Sequence, residues 1–158
     1  NFAVKLAESN YTYTVESITI TGAKGGAATY TFGGTEGKGG NWNITGSAPA
    51  SGYSYTFDNT VTAKDGIYDY TQNDNSLMLY PQSLTDAKIT VKYKTEKDNA
   101  TFFNGSKEVA LTGEWTNGQS IRYILTLPVG AEKMSVNTTY DEDWNATDNE
   151  QTPKTPVL

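Results

Sequence analysis

Apolar and polar residues alternate with a period of two along most of the chain, the signature of strands with one face in a core and one in solvent. The pattern predicts an all-β protein. Tyr11, Tyr13 and Val15 share one parity, while Ile18 and Ile20 take the other, so the alternation slips by one residue near Glu16-Ser17. A β-bulge there would return both sets to the same core. Ala28, Tyr30 and Phe32 make the next face, followed by the glycine-rich "GGTEGKGG" (33–40) and then Trp42 and Ile44, a hairpin with a loop. Tyr53, Tyr55 and Phe57 alternate with Ser54 and Thr56, and Ile67, Tyr68 and Tyr70 form a short aromatic segment.

The second half is patterned more cleanly. Ala87, Ile89, Val91 and Tyr93 alternate with Lys88, Thr90, Lys92 and Lys94, which gives one strand with a solvated lysine face. Val109 and Leu111 suggest another strand, Ile121, Tyr123, Leu125 and Leu127 a long one, and Met134, Val136, Thr138 and Tyr140 the last. "DNATFFNGS" (98–106) and "TNGQ" (116–119) read as turns. "LMLYPQSL" (77–84) breaks the rule: Leu77 to Tyr80 leave no polar position, so the segment predicts a central strand covered on both faces and ended by Pro81. The sum is an antiparallel two-layer β-sandwich, spanning residues 1–145 as one domain. Residues 146–158, "ATDNEQTPKTPVL", lose the alternation and carry two prolines, so they read as a C-terminal tail.

Composition then narrows the chemistry. The 158 residues contain neither cysteine nor histidine. That excludes disulfides, thiolate metal sites, Ser-His and Cys-His nucleophiles and the commonest zinc ligand. A net charge of −6 with Arg122 as the sole arginine argues against nucleic acid, which needs clustered basic residues. No stretch approaches a membrane helix, and the N-terminus has no signal peptide, so the chain reads either as cytosolic or as a processed form.

Four candidate sites stand beside plainer readings. Lys38 in the glycine-rich segment is followed by Gly39 where a phosphate loop requires Ser or Thr and a helix, so nucleotide binding is not expected. Asp141, Asp143 and Asn145 match the start of a calcium loop, but Ala146 and Thr152 stand where Gly and Glu belong, so an exposed acidic turn is expected and no metal. Glu16, Glu36, Glu108, Glu114 and Glu142 are the carboxylates available for glycoside chemistry; none has an identifiable activating partner, so no catalytic residue, cofactor or enzyme activity is expected. Trp42, Tyr68 and Tyr70 are the candidate glycan-binding aromatics, because exposed rings stack on the apolar faces of sugars, although aromatics also simply fill sandwiches. Six Asn-x-Ser/Thr triplets follow from the abundance of Asn and Thr.

Three motifs in order resemble a known family. "LMLYPQSLTDAKITVKYKT", then "WTNGQSIRYILTLP", then "MSVNTTYDEDW" resemble the C-terminal domain of fimbrillin-family proteins, the surface and pilus proteins of Gram-negative anaerobes. The matching positions are Leu77, Leu79, Pro81, Gln82 and Leu84; Trp115, Gly118, Tyr123, Leu125 and Leu127; and Asp143 with Trp144. Ile121 stands where the family often has an aromatic. The resemblance implies a β-sandwich, export to the cell surface or outer membrane, and a structural or adhesive role in fimbriae. Its implied partners are neighbouring pilin subunits or a surface ligand, a glycan among them, with the isolated piece monomeric. The precursor cysteine that the family often lipidates is absent, so the chain reads as a fragment or mature form. A carbohydrate-binding surface module is the alternative reading.

Overall fold

The computed structural model describes residues 1–33, 40–57, 66–71 and 76–140, of which Tyr140 by its backbone. Described strands, in chain order, are β1 (Phe2–Leu6), β2 (Thr12–Thr21), β3 (Ala28–Thr31), β4 (Asn41–Ile44) and β5 (Tyr53–Thr56). There follow β6 (Ile67–Asp69), β7 (Lys88–Lys97), β8 (Ala100–Ala110), β9 (Ile121–Leu127) and β10 (Ser135–Tyr140). They form one sheet in the order β10-β9-β1-β6, a second in the order β5-β2-β7-β8, and a separate hairpin of β3 and β4. No helix occurs among the described residues. The architecture is the expected all-β sandwich, with one parallel pair inside it: β1 runs alongside β9 in the same direction.

Period-two patterning fills a single core between the sheets. Phe2 and Val4 of β1 and Leu125 and Leu127 of β9 meet Val15 and Ile18 of β2 and Ile89 and Val91 of β7, each at 2 % exposure or less. The sheets are tied by polar atoms as well. The Tyr93 hydroxyl donates to the Pro128 carbonyl at 2.8 Å, and the Thr95 hydroxyl to the Val129 carbonyl at 2.6 Å. The slip near Glu16-Ser17 is real: the β2–β7 register shifts between Val15 and Ser17, which lets Tyr13 and Val15 on one side and Ile18 and Ile20 on the other all point inward. On β7 the lysines lie outward as the alternation requires. Lys88 pairs with Glu108 at 3.2 Å, Lys92 with Glu16 at 2.7 Å and Lys94 with Glu96 at 2.8 Å, all in solvent-accessible positions that contribute little.

Two expectations are corrected. Residues 77–82 form no strand, and the first ladder contact nearby is an isolated bridge between Ser83 and Glu114. Leu77 and Leu79 reach the core only partly, and Met78 is 87 % exposed. Side chains replace the missing ladder: Gln82 accepts from Lys24 N at 2.7 Å and donates to Lys24 O at 3.0 Å, while the Tyr80 hydroxyl donates to Gly26 O at 3.2 Å. An unbroken apolar run therefore marks a strap that caps an end of the sandwich, not a central strand. "DNATFFNGS" is also no turn beyond its first two residues. Asp98 and Asn99, with φ of 49° and 62°, make a two-residue hairpin turn, and Ala100–Ala110 is one continuous strand.

Candidate functional site

The strap and the β3–β4 hairpin frame a groove at the end of the sandwich where β1 and β9 begin and β2 finishes. Tyr30 and Trp42 are cross-strand partners in the hairpin with ring centroids 5.0 Å apart. Tyr80 of the strap also packs on Trp42, at 5.0 Å, and Phe32 stands edge-on to Tyr30 at 5.0 Å. The result is a row of four rings. The cross-strand Tyr30–Trp42 pair stabilises a two-stranded hairpin that has little core of its own, and the Trp42–Tyr80 contact ties it to the strap. Trp42 remains 39 % exposed and Phe32 85 %.

The groove encloses about 440 Å³. Trp42, Met78, Leu79 and Trp115 supply much of its apolar wall, and Asn117 and Gln119 belong to its polar rim. Trp115 is anchored twice, through its backbone N–H to Gln82 O at 2.9 Å and through its indole N–H to the Tyr123 hydroxyl at 2.7 Å. It is thus a half-buried fold residue, as its place in the Trp-x-x-Gly motif suggests, and it shares a wall with the cleft. The turn that follows is closed by Thr116 N–H donating to Gln119 Oε1 at 3.0 Å, and Gly118 takes a φ of +72°, a left-handed value that favours glycine. Asn117 donates through Nδ2 to Gly40 O at 3.2 Å, which pins this turn to the hairpin. No Asp, Glu, Lys or Arg side chain is among the described residues that line the groove.

Of the three candidate aromatics, only Trp42 lies here. Tyr68 is half-buried on β6, at the edge of the other sheet. Tyr70 packs against the core and onto Phe57 with centroids 4.6 Å apart, and burial pushes its phenol up to about 12 from an ordinary 10.0. Trp115, Asn117 and Gln119 are the site residues that sequence patterning does not single out as ligand-binding. Their signal lies in "WTNGQ", where the pattern by itself shows only a turn.

The other candidates divide between surface charges and undescribed segments. Glu16 and Glu108 are engaged by Lys92 and Lys88, and Glu114 is exposed. Lys38 with the 34–39 segment, Glu36, Glu142, the acidic positions Asp141, Asp143 and Asn145, Trp144 and the 146–158 tail lie outside the described residues. Among the described residues no three His, Cys, Asp or Glu gather as a metal site. A second depression of about 490 Å³, at the opposite end of the sandwich, is bordered by Glu8, Tyr11, Glu132 and Lys133.

No family model and no curated protein matches the sequence. Among solved structures, the fold is similar to the crystal structure of a fimbrial protein from Bacteroides vulgatus ATCC 8482, with a TM-score of 0.52 at 14 % sequence identity. The alignment covers 89 % of this chain and 53 % of that protein, so the chain spans about half the length of its structural neighbour. At that identity the likeness is one of fold.

Proposed function

We propose that this chain is the sandwich domain of a structural component of cell-surface fimbriae, exported and without catalytic chemistry. The observation that carries the reading is the fold likeness to a fimbrial protein over 89 % of the chain. The second sequence motif agrees with it: Trp115 is a half-buried fold residue, Gly118 takes a left-handed turn, and Leu125 and Leu127 lie in the core. Fold likeness alone does not specify function, so the two independent lines matter together. In this reading the domain acts through strand addition or its loops, with neighbouring subunits as partners. β8 suits the first role: it is an eleven-residue strand that ends its sheet in the order β5-β2-β7-β8. Strands at sheet edges are templates for pairing with another chain. Immunogold electron microscopy on intact cells that make the parent protein tests the proposal. Label on surface filaments is expected; label confined to the cell interior would overturn it.

A further inference from the structure

We propose that the groove between Trp42 and the 115–119 turn is a binding site for a short neutral saccharide. Its volume, about 440 Å³, falls within the roughly 300–1,000 Å³ typical of small-ligand clefts. Charge decides the class of ligand. No side chain among the described lining residues is ionic, and the one charged group there, the N-terminal ammonium of Asn1, is engaged by the Ile121 carbonyl at 2.9 Å, so a neutral ligand suits the lining better than a charged one. What the lining offers is indole and amide. Trp42 is 39 % exposed and held by tilted contacts to Tyr30 and Tyr80, at 50° and 46°, neither of which stacks flat on the indole, so a sugar's C–H face would meet a ring that needs no ordering.

The amides are held in the same way. Asn117 spends Nδ2 on Gly40 O, which leaves its carbonyl oxygen as an acceptor, and Gln119 spends Oε1 on Thr116 N–H, which leaves its NH2 as a donor. One fixed acceptor and one fixed donor beside an indole face suit hydroxyl groups, which both give and accept hydrogen bonds. A second copy of the chain fits less well, since stable protein interfaces bury about 1,200–2,000 Å² and this cleft is ligand-sized. A saccharide site serves a surface protein in any assembly state, so it does not depend on the fimbrial reading.

The test is calorimetric titration of the 158-residue chain with neutral oligosaccharides of glucose, mannose, galactose and N-acetylglucosamine, with sialylated and sulfated glycans as charged controls. Binding of at least one neutral series is expected. It should weaken roughly tenfold or more in Trp42→Ala. Asn117→Ala with Gln119→Ala should weaken it too, and Tyr68→Ala should leave it unchanged. Because Asn117 and Gln119 also hold the turn and the hairpin, Gln119→Glu, which keeps an oxygen to accept from Thr116 N–H and loses only the free NH2 donor, stays decisive where the alanine variants loosen the hairpin, and it should weaken binding too. The proposal falls if no neutral saccharide binds at about millimolar concentration. It falls equally if only charged glycans bind, if the double variant binds as the unaltered chain does, or if ultracentrifugation shows a dimer that Trp42→Ala dissociates.

Discussion

Thr71 carries more of the architecture than its size suggests. It is 2 % exposed, and its hydroxyl oxygen accepts a hydrogen bond from Phe2 N–H at 2.7 Å, while Tyr70 N–H returns one to Phe2 O at 3.0 Å. Thr71→Val keeps the shape and strands the Phe2 donor in an apolar setting. The expected loss is about 1–3 kcal/mol, read as a lower urea midpoint at unchanged slope; Thr71→Ser should recover most of it. Titration gives a second residue-scale prediction. Burial raises Tyr70 to about 12 and raises Tyr93 as well, so the unfolded chain releases these protons first, near an ordinary 10.0. Stability from Tyr70 is therefore fully present below about pH 10 and lost between about 10 and 12. Melting temperature should hold level from neutral pH to about 9, then fall, and Tyr70→Phe should flatten the fall. The strap supplies a contrast: Leu79→Ala should cost about 1–2 kcal/mol, below the range for a fully buried leucine, and Met78→Ala no more than about 0.5. Which face each residue takes is legible from parity along β2 and β7. The aromatic destinations are not, because Tyr and Trp suit a core, a hairpin stack and a groove wall equally well.

Elements show where patterning succeeds and where turn chemistry misleads. The bulge in β2 is readable because it displaces a whole apolar set, and a one-residue slip otherwise exposes that set. β8 is only partly legible because "NG" at 104–105 signals a turn, yet Asn104 opposes Lys94 and Gly105 opposes Tyr93 in a ladder whose register shifts only between Thr95 and Glu96. The reason is local: the Phe103 ring, packed on Tyr93 at 4.9 Å, lies 3.3 Å from where a Gly105 Cβ would be, so the glycine makes room for an aromatic. The strap patterns as a strand because apolar density alone cannot separate a buried strand from a cap that exposes Met78. Glycine substitutions test the turn assignments. Gly22→Ala combines a φ of +78° with a Cβ only 1.9 Å from Asp86 O, and should cost about 3 kcal/mol or more. Gly118→Ala has open space around it and a φ of +72°, so only the left-handed backbone is penalised, by roughly 1–2 kcal/mol. Equal losses at the two positions would contradict the turn geometry.

At the scale of the molecule, fold class follows from alternation, but connectivity does not. Nothing in a period of two says that β1 pairs parallel with β9, far along the chain, because alternation fixes faces and not neighbours. The groove is invisible in the sequence for the same reason, since it needs β4, the strap and the 115–119 turn to converge; Trp42 is legible as a candidate and its companions are not. The proposed non-catalytic surface role then rests on how the whole sandwich is used by the cell. The most direct measurement is to shear filaments from cells that make the parent protein, purify them, and quantify peptides of this chain by mass spectrometry against a cytoplasmic marker. The account predicts strong enrichment of residues 1–145 in the filament fraction, at a stoichiometry that follows filament mass. Recovery only with the cytoplasmic marker, or in the medium without filaments, would contradict it.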